Sequence, residues 1–139
     1  MAILIDNLVL VESNEEFVYA DTPPIIIDNK MSFEGVLFET GATKITQDFS
    51  RELIRLSIFL SANSQKDLTI IGHTDNSGED SGNQQLSLQR SSAVKEFLVS
   101  LNIEPGRIKT IGKGSTEPLV PNSSTENRAK NRRVEIVIE

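Results

Sequence analysis

The stretch LTIIGHTDNSGEDSGNQQLSLQRSSAVKEFLVSL, residues 68–101, decides the fold of this chain. It opens with a β-rich run at 68–71 and passes through turn-forming residues at 76–78. From about residue 84 to residue 101, apolar residues recur at helical spacing, which predicts an amphipathic helix. A strand, a loop and a helix in this order are typical of an α/β arrangement.

Arg90 falls where the predicted helix should present an apolar side chain. The apolar positions of this helix are Leu86, Ala93, Val94, Phe97, Leu98 and Leu101. Arg90 follows Leu86 by one helical turn and projects into the same arc, together with Asn83 and Ser87. A partly buried guanidinium costs several kcal/mol unless oxygen atoms pair with it, so Arg90 is a candidate functional residue.

Asp75 is the nearest well-placed carboxylate. It follows the strand and precedes the turn, so it should lie at the carboxyl end of a strand, where α/β proteins bind small ligands. One interpretation is an internal bridge from Asp75 to Arg90 that fixes the loop. In the other, Asp75 binds an ammonium and Arg90 binds a carboxylate of one ligand, for which an amino acid head group is the simplest candidate. The residues alone leave both open.

The rest of the body alternates between strands and helices, which predicts an α/β (α+β) two-layer sandwich. A helix from Thr46 to Ala62 should bury one face. That face comprises Ile45, Phe49, Leu53, Leu56 and Leu60. Further strands are predicted at Phe33–Glu39, Asp67–Ile71 and Arg107–Ile111, and the alternation of Val134, Ile136 and Ile138 predicts a last strand.

The first thirty residues form a separate region in this interpretation. Residues 3–11 and 17–20 are β-rich runs that predict a hairpin, and residues 25–27 predict a short buried strand or a strap packed on the body. We therefore divide the chain into an N-terminal β-rich extension or adjacent-domain fragment, 1–30, and a domain at 31–139.

Composition excludes several classes of function. The net charge of −6 argues against nucleic acid, whose backbone requires a basic face. The absence of cysteine excludes disulfides and thiolate metal sites, and no apolar run is long enough to span a membrane. His73 is the only histidine, and a catalytic or zinc site would need a further ligand or base. We expect no metal, no cofactor and no enzymatic activity.

Residues spread over most of the chain carry a resemblance to a known family. They are Val36 to Glu39, Gly72 to Asp75, Asn83, Leu86, Ser87, Arg90, Val94, Leu98, Arg107, Ile108, Gly112, Gly114, Pro118, Asn122, Arg128 and Asn131 to Ile136. From about Phe33 to Glu139 the chain resembles the OmpA C-terminal-like domain, the peptidoglycan-binding module of OmpA-type porins, peptidoglycan-associated lipoproteins and the flagellar stator protein MotB.

The resemblance implies a βαβαβ core with a mixed sheet and noncatalytic binding of peptidoglycan through the meso-diaminopimelate of its stem peptide. The residues it assigns to the ligand are Asp75, Arg90, Asn83, Leu86, Glu39, Thr40 and Arg132. Glu39 stands where the family usually has Asp, a tolerable change because backbone amides of that turn often contact the ligand.

The same resemblance implies a location in the periplasm or cell envelope, with outer-membrane association in the full-length protein. The residues after Met1 nevertheless lack the basic segment and cleavage site of a secretory signal.

That absence supports an alternative function. In it the chain is a protein-interaction or structural component of a secretion, injection or motility assembly, and the pocket is vestigial. A protein partner or a second copy would then bind Ile54 and Ile58, which lie opposite the buried face of the first helix, or the N-terminal extension.

Overall fold

The computed structural model describes residues 24, 26–35, 37–38 and 43–139. The elements in these residues are β1 (Lys30–Glu34), α1 (Gln47–Ala62), β2 (Leu68–His73), α2 (Asp80–Ser100), a 3-10 turn (Pro105–Arg107), β3 (Ile108–Gly112), α3 (Thr125–Asn131) and β4 (Arg133–Ile138). The hairpin predicted at residues 3–20 lies outside the described residues, as do Ile25, Val36, Glu39 and Thr40.

The strands form one sheet in the order β1-β4-β2-β3. β2 and β3 are parallel, whereas β4 is antiparallel to both β1 and β2. A parallel pair requires a crossover connection, and α2 provides it. The predicted α+β fold with a mixed sheet is confirmed.

The core lies between the sheet and the two long helices. The four side chains predicted to face inward from α1, namely Phe49, Leu53, Leu56 and Leu60, are buried, whereas Ile45 precedes the helix and is only partly buried. They pack with Val94 and Leu98 of α2 and with Ile70 and Ile136 of the sheet. The helical periodicity of the sequence therefore identified most of the contribution from α1.

The buried face of helix α2 overlaps the predicted arc but is rotated relative to it, because Asn83, Ser87, Val94 and Leu98 are buried as predicted and Ser91 joins them. A Cβ built at Gly72 would lie 2.2 Å from the carbonyl oxygen of Ser87, so the sheet approaches the helix where neither residue has a large side chain. Ser87 and Ser91 are fully buried at this contact. The predicted arc was wrong in its rotation, because Leu86 and Arg90 are half-buried beside the small residues rather than central to the buried face.

Helix α2 also begins at Asp80 rather than near Gln84. Glu79, in an extended conformation, is its N-cap, and the Glu79 carbonyl accepts a hydrogen bond from the Asn83 amide at 2.9 Å. Asp80 places negative charge in the first turn, where the helix dipole favours it. Apolar periodicity detects only the later turns, because the first turn is polar.

The first strand was predicted at Phe33–Glu39 but occupies Lys30–Glu34. Gly35 follows it with a φ of 96°, a conformation that directs the chain away from the sheet and that favours glycine. Phe38 then forms an isolated bridge with Ile45 and is 8% exposed. Leu37 and Phe38 therefore pack against the core outside β1 instead of extending that strand.

A tight turn precedes β1. Asp28 and Asn29 both have positive φ, and the backbones of Ile27 and Lys30 exchange two hydrogen bonds across them. The side chain of Ile27 is 68% exposed, while Ile26 packs against the core. The buried strand or strap predicted at residues 25–27 is thus wrong at Ile27.

The predicted partner surface is less exposed than expected, because Ile54 and Ile58 are both half-buried. Among the described residues the exposed large apolar side chains are Ile27, Leu88, Ile111 and Leu119. A partner or dimer surface at Ile54 and Ile58 stays a prediction. No helix in the described part of the chain combines the length and hydropathy needed to cross a membrane.

Candidate functional site

Asp75 lies in the loop that leaves the carboxyl end of β2, as predicted. The loop is fixed by the Thr74 amide, which donates to the Gly114 carbonyl at 2.8 Å. The Ser77 amide donates to Oδ1 of Asp75 at 2.8 Å, a local turn that orients the carboxylate. Asp75 is only 7% exposed, so its charge requires partners.

The ionic partner of Asp75 is Arg132, whose Nη1 lies 2.5 Å from Oδ2. Burial works to raise the pKa of Asp75, but the hydrogen bonds from Ser77 and Arg132 outweigh it and hold the pKa below its ordinary value. Asp75 is therefore ionised at neutral pH. The internal bridge from Asp75 to Arg90, one of the two interpretations of the sequence, is not formed.

Arg90 has no ionic or hydrogen-bonding partner among the described residues, and its Nε is buried without one. Its guanidinium carbon lies 5.1 Å from the centroid of the Phe38 ring, a cation–π contact. Burial, followed by the charge of Arg132, lowers the pKa of Arg90, whereas Asp75 opposes the shift. Arg90 nevertheless remains cationic at neutral pH, because a guanidinium loses its proton only far above that pH.

Arg90 and Arg132 both line a cavity of about 260 Å³ at this end of the sheet. Its other lining residues are Gly35, Leu37, Phe38, Gly72, His73, Ala129, Arg133 and Val134. The cavity thus combines apolar walls with three guanidinium groups: that of Arg132 holds the Asp75 carboxylate, that of Arg133 pairs with Glu135, and that of Arg90 pairs with no described carboxylate. This arrangement can bind a small polar ligand that carries a carboxylate.

The remaining predicted site residues are Asn83, Leu86, Glu39 and Thr40, and none of them is among the described residues that line this cavity. Asn83 is buried in the first turn of α2, and its Nδ2 has no hydrogen-bond partner among the described residues. Leu86 lines a separate groove on the outer side of α2, together with Leu88 and Gln89, and not the cavity. Glu39 and Thr40 lie outside the described residues.

A buried ionic network centred on Glu135 of β4 lies beside the cavity. Glu135 Oε2 accepts from Arg133 Nε at 3.2 Å and lies 3.1 Å from Lys30 Nζ, while Oε1 lies 2.9 Å from His73 Nε2. Burial raises the pKa of Glu135, but Lys30 and Arg133 dominate and lower it to about 2. Burial, then Arg133, lowers the pKa of His73, so this histidine is neutral at neutral pH.

In this network Glu135 engages Nε2 of His73, while Nδ1 is buried without a hydrogen-bond partner among the described residues. Among the described residues no group of three His, Cys, Asp or Glu side chains could hold a metal ion. In the sequence-based interpretation Arg133 was only one of the residues that carry the family resemblance. Its position in β4, opposite His73 of β2, is what identifies it as a buried ionic residue.

Asn131 fixes the segment that carries the two arginines. It is fully buried, and its Oδ1 accepts hydrogen bonds from the amides of Leu119 and Val120. Its Nδ2 donates to the Val120 carbonyl and to Asn122 Oδ1, both at 2.8 Å. The end of α3 is therefore tied to the loop after β3, which sets the position from which Arg132 reaches Asp75.

The family model described as OmpA family matches residues 37–132, from the cavity-lining Leu37 to Arg132. The chain belongs to the OmpA family. The resemblance inferred from the sequence is confirmed.

Two curated proteins are similar in sequence to this OmpA-family chain. Outer membrane porin F of Pseudomonas aeruginosa is 35% identical over 105 residues, which are 75% of this chain and 30% of the porin. Peptidoglycan-binding protein ArfA of Mycobacterium tuberculosis is 42% identical over 98 residues, 70% of this chain and 30% of ArfA. The chain therefore spans about 30% of the length of these relatives.

Solved structures agree with this assignment. The periplasmic domain of Helicobacter pylori MotB superposes with a TM-score of 0.69 at 27% identity, covering 81% of this chain and 78% of that one. The cell wall anchor of the T6SS from Pseudomonas aeruginosa gives a TM-score of 0.67 at 30% identity, with coverages of 77% and 78%. The OmpA-family fold thus accounts for most of this chain.

Proposed function

We propose that this chain is a noncatalytic domain that binds peptidoglycan through the meso-diaminopimelate of the stem peptide and anchors an envelope protein or assembly to the cell wall. The observation that carries the proposal is the pair Asp75 and Arg90, opposite charges beside one cavity that are not bonded to each other. The free end of diaminopimelate presents an ammonium and a carboxylate on one carbon atom. Asp75 suits the first group and Arg90 the second.

Desolvation supports this role for Arg90. A half-buried guanidinium without a partner is unfavourable in the empty protein, and a ligand carboxylate would supply the missing acceptors. Phe38 holds the guanidinium from one side, so its orientation is set before the ligand arrives. Such preorganisation lowers the entropy lost on binding.

The buried amide of Asn83 is a further candidate contact. Its Nδ2 lacks a partner, and it belongs to the helix that also carries Arg90. A peptide carbonyl of the stem would satisfy this donor. Leu86, by contrast, lines the outer groove, so we assign it no direct contact. A ligand contact from Glu39 and Thr40 stays a prediction.

Co-sedimentation with purified sacculi tests the proposal. Asp75→Ala and Arg90→Ala should each reduce the bound fraction and weaken affinity by at least about tenfold, because truncating one partner of a buried charge pair costs about 2 to 5 kcal/mol. Both variants should keep the amide NMR spectrum of a folded domain. Sedimentation equal to that of the wild-type chain would contradict the proposal.

Lys109→Ala provides the matched control. Lys109 is an exposed cation on β3, paired in register with Thr69 rather than with the residues near Asp75. Its removal changes net charge by as much as Arg90→Ala does but leaves the cavity untouched. Equal losses for both substitutions would indicate nonspecific attraction of cations to the anionic cell wall.

A second candidate function is that of a structural component of a motility or secretion assembly, with a vestigial pocket. The similarity to MotB and to a T6SS cell wall anchor favours it. Titration with meso-diaminopimelate by NMR separates the two candidates. Shifts concentrated near Asp75, Asn83 and Arg90 support ligand binding, and an unchanged spectrum at millimolar ligand supports the assembly role alone.

The proposal includes location and the lack of catalysis. Relatives include an outer membrane porin, and a neighbour is a periplasmic domain, so we place this chain in the periplasm or cell envelope, associated with the outer membrane in the full-length protein. The described residues that line the cavity include guanidinium groups but no pairing of a nucleophile with a base. Release of soluble muropeptides from sacculi by the purified chain would overturn this part.

A further inference from the structure

In the empty protein Arg132 is ion-paired with Asp75. Under the proposed function, the same carboxylate binds the ammonium of the ligand. Nη1 of Arg132 bonds Oδ2 of Asp75, and Ser77 satisfies Oδ1. The guanidinium of Arg133, which also lines the cavity, is paired with Glu135. The carboxylate of Asp75 therefore faces the two guanidinium groups of Arg90 and Arg132, an excess of one positive charge. An incoming ammonium has to replace a cation already in place.

The side chain of Arg132 is exposed enough to change its rotamer, whereas its backbone is fixed by its two neighbours. Its side chain is 43% exposed, against 10% for Asp75. The residues on either side, Asn131 and Arg133, are both buried and hydrogen-bonded. The guanidinium can thus leave Asp75 by rotation of its own side chain, without displacing α3 or β4.

We propose that Arg132 is a specificity-determining latch, which lies on Asp75 in the empty site and transfers to the ligand's carboxylate when an ammonium takes its place. The inference rests on the proposed function and deepens it. A ligand with both charges leaves neither group without a partner. Asp75 gains the ammonium of the ligand, and the released Arg132 guanidinium joins Arg90 at the carboxylate of the ligand. A ligand with an ammonium alone breaks an ion pair and leaves Arg132 without an anion.

The latch therefore selects against simple amines. A lysine side chain differs from the free end of diaminopimelate by the loss of one carboxylate, so a lysine-containing stem peptide meets the full cost of releasing Arg132. Specificity here comes from an unfavourable exchange for the wrong ligand as much as from contacts to the right one. Without Arg132, Asp75 would accept either ammonium.

The test compares two tripeptides, L-Ala-D-isoGlu-meso-diaminopimelate and L-Ala-D-isoGlu-L-Lys, by calorimetry and NMR on the wild-type chain and on Arg132→Gln. The wild type should prefer the diaminopimelate peptide by about tenfold or more, the worth of one charged hydrogen-bonded pair. Arg132→Gln should bind the lysine peptide more tightly than the wild type does and reduce the preference severalfold. A preference unchanged within about twofold would overturn the latch.

Arg128→Gln is the control for net charge. Arg128 lies on α3, one turn before Arg132, but its Nη2 bonds Thr125 Oγ1 and it does not line the cavity. It should leave both affinities unchanged, and a reduction in preference equal to that of Arg132→Gln would contradict a specific role for Arg132.

A ligand-free measurement separates failure of the latch from failure of the proposed function. Titration of the Asp75 carboxyl by carbon-13 NMR should show a higher pKa in Arg132→Gln than in the wild type, because one of its stabilising partners is lost. An unchanged titration would overturn the latch whatever the peptides do. A wild-type chain that titrates as expected but binds neither peptide would overturn the proposed function, and the latch's selective role with it.

Discussion

Gly72 of β2 lies against the backbone of Ser87 in α2, so closely that an added Cβ would come within 2.2 Å of the Ser87 carbonyl oxygen. The neighbouring atom is backbone and has no flexible end that could move aside. The contact brings the strand that ends near Asp75 against the helix that carries Arg90. The spacing of the two charges therefore depends on the absence of a side chain at Gly72.

We predict that Gly72→Ala destabilises the domain by about 1 to 3 kcal/mol, the usual cost of overpacking a filled interior. It should also weaken sacculus binding, because the helix has to move away from the strand. Urea denaturation measures the first effect and co-sedimentation the second.

Gly82→Ala is the matched control for this substitution. Gly82 lies in the first turns of α2, and nothing lies within 4 Å of an added Cβ there. The change should stabilise the domain by about 0.5 to 1 kcal/mol through helix propensity. If the two substitutions altered the free energy of unfolding alike, close packing at Gly72 would not be the cause.

Removal of the Asn131 side chain is predicted to be among the more damaging polar substitutions. Asn131→Ala leaves the backbone amides of Leu119 and Val120 without their acceptor, at a cost of about 2 to 4 kcal/mol for the hydrogen bonds of this side chain together. Asn127→Ala, four residues earlier on the same helix, removes the amide that donates to Ser123 over 3.4 Å and should cost well under 1 kcal/mol. Thermal or urea unfolding of both variants measures the difference.

Acid should destabilise the domain in two stages. The folded-state pKa of His73 lies below 6.5, so the unfolded chain binds the extra proton and stability falls as pH drops below about 6.5. The pKa of Glu135 is lowered from 4.5 to about 2, so its contribution, about 3 kcal/mol, is present above pH 4.5 and is lost as pH falls toward 2. Urea denaturation at a series of pH values measures the profile.

Glu135→Gln should flatten that profile between pH 4.5 and 2, because the titrating group is gone. It should also lower stability at pH 7, since Lys30 and Arg133 lose their buried counter-charge. Glu104→Gln, at an exposed carboxylate beside the 3-10 turn, is the control and should leave the profile intact. A wild-type slope retained in Glu135→Gln would assign the acid sensitivity to other groups.

Arg107 is predicted to contribute to stability through backbone contacts rather than an ion pair. Its Nη2 donates to the carbonyls of Leu60, Asn63 and Lys66 at 3.0, 2.9 and 2.7 Å, which satisfies groups at the end of α1. Arg107→Lys keeps the charge but not the fork of donors, and should cost about 1 to 2 kcal/mol. A lysine variant as stable as the wild type would show that charge alone is sufficient.

Local spacing predicted the elements whose side chains repeat along one face. The inward residues of α1 and the place of Asp75 after β2 both follow from periodicity and turn chemistry. The rotation of α2 did not, because its contact with the sheet is made by small residues that no apolar pattern detects. Ser87 is fully buried there while Leu86 is not.

The partner of Asp75 could not be derived from spacing either. Arg132 lies 57 residues away in sequence, and only the pairing of β4 with β2 brings the end of α3 to the end of β2. The resemblance to the OmpA family named Arg132 as a candidate, but its ion pair with Asp75 depends on sheet topology. Nor does sequence distance reveal the cation–π contact of Arg90, since Phe38 reaches it from a loop.

The strand that is last in the described sequence is not at the edge of the sheet. β4 lies between β1 and β2, with Met31 and Ile70 on either side of Ile136. Among the strands that the structure describes, β1 pairs only with β4. During synthesis this pairing has to wait until β4 has left the ribosome. Arg132 and Arg133 belong to the same segment. The pairing of β4 with β1 and β2 therefore joins the sheet and brings these two arginines to the cavity in one step.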